Sequence, residues 1–376
     1  MPIFGVHESI SGGFECAVER VAAVGGHALQ MFVKSSQQWQ SSPITSEQVA
    51  RFQQTLAEKN VDPVVAHASY LVNLASPNEV TRQKSILGFA NEIHRCAQLG
   101  IAKLVVHPGS CGLSASTTAT ISTESKSVPE STISELSQTV TSPPFLQTLP
   151  TQQLLFEASP PKKRAKKPKI EISTAVMQAG CERVADSLRQ VFLQVDQMNP
   201  TEMASQAPYQ ISPQTVRVLL ETTAGQGAYL GRRFEELATI STVLLAFPEA
   251  TEHQFAQRIG VCVDTAHIFA AGYAFDTAEE YAALIAQVDT TVGLKNIYAF
   301  HINDSAKAFQ SNVDRHAQLG LGLIGLDGIA HFVRDPRWKD HPMLLETPKG
   351  TDETGTDYDI VNLRILERLA LGECCK

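Results

Sequence analysis

Five times in this chain a short apolar run stops on a residue able to bind a metal. The runs 103–106, 216–220, 260–263, 297–300 and 343–345 end on His107, Glu221, Asp264, His301 and Glu346. Short runs of β-branched and apolar residues read as strands buried on both faces. A carboxylate or imidazole inside such a strand would lie in apolar surroundings without a partner, whereas the strand's end can accommodate it. When several parallel strands finish this way, their last residues converge on one rim of the sheet, where a barrel keeps its active site.

The rest of the chain fits that architecture. Eight candidate strands (3–7, 28–33, 63–67, 103–107, 216–221, 259–264, 297–301 and 342–346) alternate with amphipathic stretches at 14–24, 46–59, 79–99, 175–198, 232–246, 277–288 and 326–333. Eight strands alternating with helices predict a parallel α/β fold closed as a (β/α)8 TIM barrel. With 376 residues, 43% of them hydrophobic, the chain can bury a core of that size. No apolar stretch approaches the roughly 18 residues of a membrane span, and Met1 leads straight into an apolar run without a secretory or transit signal. Seven scattered cysteines form no disulfide framework and favour a reducing compartment.

One segment breaks the rhythm. Residues 110–150 hold eighteen Ser or Thr, and a run of lysines, arginine and prolines follows at 160–169. Such a stretch buries too little apolar surface to offset its ordering entropy. The expected organisation is one barrel made of 1–112 and 173–376, with 113–172 as a disordered insertion after the fourth strand. A second short insert is expected near 199–213. The basic run 160–169 reads as a nuclear localisation signal served by an import receptor, with a solvated linker and a cytoplasmic protein as the alternative. The net charge of −8 weighs mildly against nucleic-acid binding, but it counts carboxylates and not the metals they would hold.

Nine residues are offered as ligands: His67, His107, Glu221, Asp264, His267, His301, Asp314, His316 and Glu346. Imidazole and carboxylate donors without thiolates suit Zn2+ and similar borderline ions. Asp264 and His267 place one ligand at a strand end and another in the first turn beyond it. In Asp314-Arg315-His316 an extended backbone points the first and third side chains the same way. Singly, each has a plainer reading: a hydrogen-bonded structural histidine, a carboxylate paired with a base, or, for Asp264, a helix cap. Their coincidence at successive strand ends points to metal.

The stretches 67–76, His107-Pro108-Gly109-Ser110, 220–227, 260–267, 301–305, Asp314-Arg315-His316 and Glu346-Thr347-Pro348 resemble the endonuclease IV family of apurinic/apyrimidinic endonucleases. The resemblance spans roughly 1–110 and 174–371. It implies a (β/α)8 barrel with three zinc ions in a DNA-binding groove, Mn2+ being an alternative at one site. By the family pattern His67, His107 and Glu221 hold one ion. Glu221 bridges to a second, also bound by Asp264, His301 and Glu346, and the third takes His267, Asp314 and His316. The activity implied is that of base excision repair. A metal-activated water cuts double-stranded DNA 5′ to an abasic site, with Glu221 bridging two ions and Glu346 helping to accept the proton. The products are a 3′-hydroxyl and a 5′-deoxyribose phosphate, and trimming of blocked 3′ ends is a further activity the family allows.

Selectivity is expected from extrusion of the abasic nucleotide, which has little stacking to lose. Tyr70 and Leu71 match the family's wedge residues. Gln37 and Ser35 stand where the family often has Arg or Asn, which removes a longer cationic intercalator. Arg315 is a candidate phosphate contact. The expected protein is a monomer with DNA as its partner and no membrane association. Two rivals remain at this point: a metal-dependent sugar isomerase on the same barrel, which would want more carboxylates and a strand-end lysine, and a noncatalytic binder of damaged DNA.

Overall fold

A computed structural model describes residues 2–112, 173–197 and 207–373. The 113–172 insertion, its basic run and most of the second insert lie outside these. Strands β1 (Ile3–Glu8), β2 (Ala28–Phe32), β3 (Val64–His67), β4 (Lys103–Val106), β5 (Arg217–Glu221), β6 (Ile259–Asp264) and β7 (Ile297–His301) pair in chain order, all parallel. A small antiparallel hairpin of β8 (Asp304–Ser305) and β9 (His316–Ala317) then precedes β10 (Pro342–Leu345). That last strand pairs with both β7 and β1 and closes an eight-stranded barrel. The (β/α)8 expectation holds, and the expected strands agree with the observed ones to within a residue at each end.

The helices follow from caps as well as from periodicity. In α2 (Ser46–Lys59) the Thr45 hydroxyl accepts Gln48 N–H, and the Gln48 side chain accepts Thr45 N–H, a reciprocal capping box. Thr277 and Glu280 repeat the arrangement at α8 (Ala278–Thr291). The other long outer helices are α1 (Phe14–Ala23), α3 (Glu79–Leu99), α4 (Thr174–Gln197), α5 (Phe234–Leu245) and α9 (Gly325–Arg334). Three helices were not read from the sequence: α6 (Phe255–Arg258), α7 (Thr265–Ala271) and α10 (Tyr358–Ala370). The first two are too short to show a helical period, and α10 has a mixed pattern that shows its buried face only after folding.

Two apolar layers position the site. Alternate strand residues such as Val218 and Leu220 pack outward in the large core. The intervening residues Ala28, Val65, Val105, Leu219, Cys262, Ala299 and Leu344, one from each barrel strand except β1, form a separate buried cluster that fills the barrel interior. A strand repeats its facing every two residues. Two positions beyond this apolar plug, each of these strands therefore presents a side chain at the barrel mouth. The residues so placed are Gln30, His67, His107, Glu221, Asp264, His301 and Glu346. On β1 the same step leads from Gly5 to His7. Gly5 is obligatory there, because a Cβ would stand 1.7 Å from the Ala28 carbonyl oxygen.

Candidate metal centre

Glu221 is fully buried at the centre of the mouth. Its Oε2 lies 3.2 Å from His67 Nε2 and 2.9 Å from His107 Nε2. Its Oε1 lies 2.9 Å from His301 Nδ1 and 3.3 Å from His267 Nδ1. One carboxylate thus faces histidines from both sides. Glu346 Oε2 is 3.3 Å from His301 Nδ1, and Asp264 Oδ2 is 3.8 Å from the same nitrogen. Beyond the ring, α7 brings in His267 and the β9 strand brings in His316. Asp314 bridges those two, 3.2 Å from His267 Nε2 and 3.4 Å from His316 Nε2.

Three groups have donor atoms within 4.8 Å of one another: His67, His107 and Glu221; Glu221, Asp264, His301 and Glu346; and Asp264, His267 and His316. Asp264 falls in two of them and Glu221 in two. All nine residues singled out in the sequence as ligands are brought together at one mouth. Asp264 also caps α7, its Oδ1 accepting His267 N–H at 2.8 Å, while its Oδ2 accepts Asn303 Nδ2–H at 2.6 Å. The cap and the cluster are therefore two uses of one side chain.

Ring orientations are fixed from behind. His67 Nδ1 donates to Ala68 O, His267 Nδ1 to Thr222 O and His316 Nδ1 to the Glu346 carbonyl, which turns each Nε2 to the cluster. His301 is reversed: its Nε2 donates to Gln30 Oε1 at 2.8 Å, so Nδ1 faces the carboxylates.

The electrostatics are those of a cluster built around cations. Burial opposes ionisation of Glu221, yet His107 and His301 with the hydrogen bonds from His107 and His267 outweigh it and hold the carboxyl well below its usual range. Glu346 is likewise lowered: burial opposes this, and the charge of nearby His301 is the largest influence against it. Burial disfavours imidazolium at both His267 and His301; facing carboxylates, Asp264 first, raise His267 well above the ordinary histidine value, and the Cys262 sulfur with Glu346 and Glu221 does the same for His301. His67 is raised in the same sense.

These residues fit a metal. The donors are imidazoles and carboxylates, His316 Nε2 is buried without a hydrogen-bond partner, and opposed charges crowd one cavity mouth. Cys262 sits below in the apolar plug, where burial pushes its thiol up to about 11 and keeps it neutral.

The four residues expected to contact DNA line the rim. Tyr70 is 70% exposed, its ring edge-on to Phe32 at 5.3 Å and beside His67. Leu71 is half-buried, and Gln37 and Arg315 are exposed. Arg315 bonds the carbonyl of Asp314 at 2.6 Å. The loops of Gln37 and Tyr70 are tied together: Ser69 Oγ donates to Ser36 O, and Ser69 N–H to Glu92 Oε2. Glu92 in turn pairs with Lys34 at 3.1 Å, both side chains buried. Removing one partner of such a pair strands the other charge, so Lys34→Met is expected to lower stability by about 3–5 kcal/mol. Denaturant unfolding checks this; a loss well under 1 kcal/mol would contradict it.

Sequence reasoning missed Gln30 and His7, which share the ring with the ligands. The signal was available: both lie two residues past an interior position of their strand, but β2 ends in Gln-Met-Phe rather than on an ionisable residue.

A family model described as xylose isomerase-like TIM barrel matches residues 18–127 and 150–364. A protein of Chloroflexus aggregans named "Probable endonuclease 4" is 36% identical over 369 residues, covering 98% of this chain and 99% of its own length. A protein of the same name from Trichlorobacter lovleyi is 35% identical over 365 residues, covering 97% and 98%. The crystal structure of endonuclease IV from Thermus thermophilus superposes with a TM-score of 0.66 at 28% identity, covering 99% of this chain and 100% of that one. These bacterial relatives correct one expectation. Their cells have no nucleus, so the basic run 160–169 is no longer taken as a nuclear localisation signal and no import receptor is implied.

Proposed function

We propose that this chain, which belongs to the endonuclease IV family of xylose isomerase-like TIM barrels, is a zinc-dependent endonuclease of DNA base excision repair. Its reaction would be hydrolysis of the phosphodiester 5′ to an abasic site, leaving a 3′-hydroxyl and a 5′-deoxyribose phosphate. One observation carries this reading: eight histidines and carboxylates converge on one mouth in three overlapping groups that share Glu221 and Asp264, and Asp314 joins them 3.2 Å from His267 Nε2.

The donor set favours three Zn2+ per chain, with Mn2+ as the alternative at one site. His67, His107 and Glu221 would hold the first, Glu221, Asp264, His301 and Glu346 the second, and His267, Asp314 and His316 the third. Bound metal would supply an acidified water and a positive counter-charge for the phosphate. Glu221 has both oxygens committed to histidines, so its role is to hold two ligand sets at one separation. Glu346 is 18% exposed and the better placed of the two to receive a proton at the mouth. Asp314, half-buried at the rim, would help His267 and His316 face the phosphate. Arg315, beside it, would steer the backbone.

Tyr70 and Leu71 would fill the gap left by the extruded abasic nucleotide. Base–aromatic stacking is worth about 1–3 kcal/mol. Tyr70→Ala is therefore expected to lower discrimination between abasic and intact duplex by about 10-fold or more, with metal content unchanged. Binding to matched duplexes measures it, and unaltered discrimination would remove Tyr70 from the wedge. The catalytic unit is proposed to be 1–112 with 173–376, acting as a monomer and carrying 113–172 as an insertion.

Among the described residues, two lysines that follow barrel-strand ends are engaged elsewhere, which disfavours the sugar-isomerase reading: Lys34, just past β2, is buried against Glu92, and Lys349, after β10, pairs with Glu8 and Asp359. The test is a duplex with a single tetrahydrofuran abasic analogue, which is inert to lyase chemistry. Incision on its 5′ side with a polymerase-extendable 3′-hydroxyl supports the assignment. Intact duplex after incubation with metal-loaded protein would contradict it.

A further inference from the structure

We infer that Gln30 is a positioning residue for the Glu221–Asp264–His301–Glu346 group, binding two of its members through one amide; this rests on the metal-centre reading above. The Gln30 side chain is fully buried on β2, at the mouth-facing position of its strand. Its Oε1 accepts His301 Nε2–H at 2.8 Å. Its Nε2 donates to Glu346 Oε1 at 2.5 Å and to His7 Nδ1 at 3.0 Å. The acceptor and both donor hydrogens of the amide are thus engaged.

The consequences follow from valence. In the neutral ring that a metal requires, giving Nε2–H to Gln30 leaves the electron pair on Nδ1, the atom that lies 2.9 Å from Glu221 and 3.3 Å from Glu346. In His67, His267 and His316 a backbone carbonyl fixes the ring. In His301 a side chain does so, and the same amide holds Glu346 through the oxygen that does not face His301. His301 sits on β7 and Glu346 just past β10, so Gln30 sets their mutual separation from across the barrel. His7 completes the arrangement. With Nδ1 accepting from Gln30, its 3.6 Å approach to Glu346 Oε1 is a packing contact rather than a hydrogen bond. No such partner supports the other two groups from β2, so loss of Gln30 should be felt at one group.

The experiment is metal release from the full-length, metal-loaded protein to a chromophoric zinc chelator, for wild type, Gln30→Leu and Gln30→Glu. Leucine keeps the volume in a buried position without hydrogen bonds. Glutamate keeps the acceptor toward His301 but loses both donors and adds a charge beside Glu346. Partners behind metal ligands typically contribute about 10–100-fold in affinity. In both variants one equivalent of zinc is expected to pass to the chelator at about 10–100-fold lower chelator concentration, with the remaining equivalents released as in wild type.

For the folded variants kcat should fall while KM for the abasic duplex stays near wild type, because the rim is untouched. A merely structural Gln30 would instead lower the unfolding midpoint and loosen all equivalents together. That outcome, or a wild-type release profile in whichever variant folds, overturns the inference. A wild-type protein that takes up no zinc would overturn the underlying metal reading instead, so the two failures are distinguishable.

Discussion

Glu221→Gln is expected to reduce incision of abasic DNA by about 10²–10³-fold, comparable with the loss of a principal electrostatic group in other enzymes. The substitution keeps size and shape but removes a charge shared by His67, His107, His267 and His301. An amide can offer one oxygen, so only one of the two ligand groups meeting at Glu221 would retain an acceptor. The prediction therefore has two parts: activity collapses, and fewer metal equivalents remain after gel filtration. The barrel should survive, because the apolar plug one layer below holds the strands independently of the ring. Product analysis under single-turnover conditions, alongside metal analysis of the same sample, checks both parts. Retention of wild-type cleavage would reject a shared carboxylate at the centre of the chemistry.

Stripping the metals is expected to lower the thermal midpoint by at least about 8 °C at neutral pH, and the size of the drop should grow with pH. Ligands present at about 1,000 times their dissociation constant contribute about 4 kcal/mol. For a domain of this size each kcal/mol corresponds to about 2–4 °C. The pH dependence follows from the histidines. In the metal-free protein His267 and His301 are raised well above their ordinary value, and His67 is raised too. Groups raised on folding stabilise fully below their unfolded value of about 6.5, and that contribution is lost as pH rises through the folded values.

Metal-free protein should accordingly weaken on the alkaline side, as neutral imidazoles leave Glu221, Glu346 and Asp264 facing one another. Metal demands neutral imidazoles, so its affinity rises over the same interval. The carboxylates set the other edge. Glu221, Glu346 and Asp314 are depressed, and their contribution disappears as pH falls below the ordinary carboxylate range. Melting curves from pH 5 to 9, with and without chelator, should diverge as pH rises. Parallel curves would contradict the account.

How much of this was legible beforehand depends on the kind of signal. The strands could be read because a strand buried on both faces is a continuous apolar run, and its end is marked by the first ionisable residue. His107, Glu221, Asp264, His301 and Glu346 all announce themselves in this way. His267 followed from its place in the first turn after β6, and Asp314 with His316 from two-residue spacing. Gln30 could not be seen by the same rule. It is neutral, it stands inside an apolar run, and its partners His301 and Glu346 come from β7 and the end of β10, far away in sequence.

The Lys34–Glu92 pair was hidden for a related reason, since only closure of the barrel brings α3 under the loop after β2. The short helix α7 is defined by the Asp264 cap, which in the sequence looks like an alternative to a ligand. The structure has one carboxylate in both settings. The basic run misled because composition alone cannot distinguish an import signal from any other charged segment. The bacterial relatives, not the physics of the run, correct that reading.

The most direct test is a metal titration of chelator-treated, full-length protein, scored on the tetrahydrofuran duplex without added Mg2+. Incision should be absent in the metal-free sample and should rise as bound zinc approaches three equivalents per chain. The upstream product should end in a 3′-hydroxyl and the downstream product should begin with the phosphorylated abasic nucleotide. Undiminished cutting by protein shown to hold no metal, or none by protein holding three, would contradict the account.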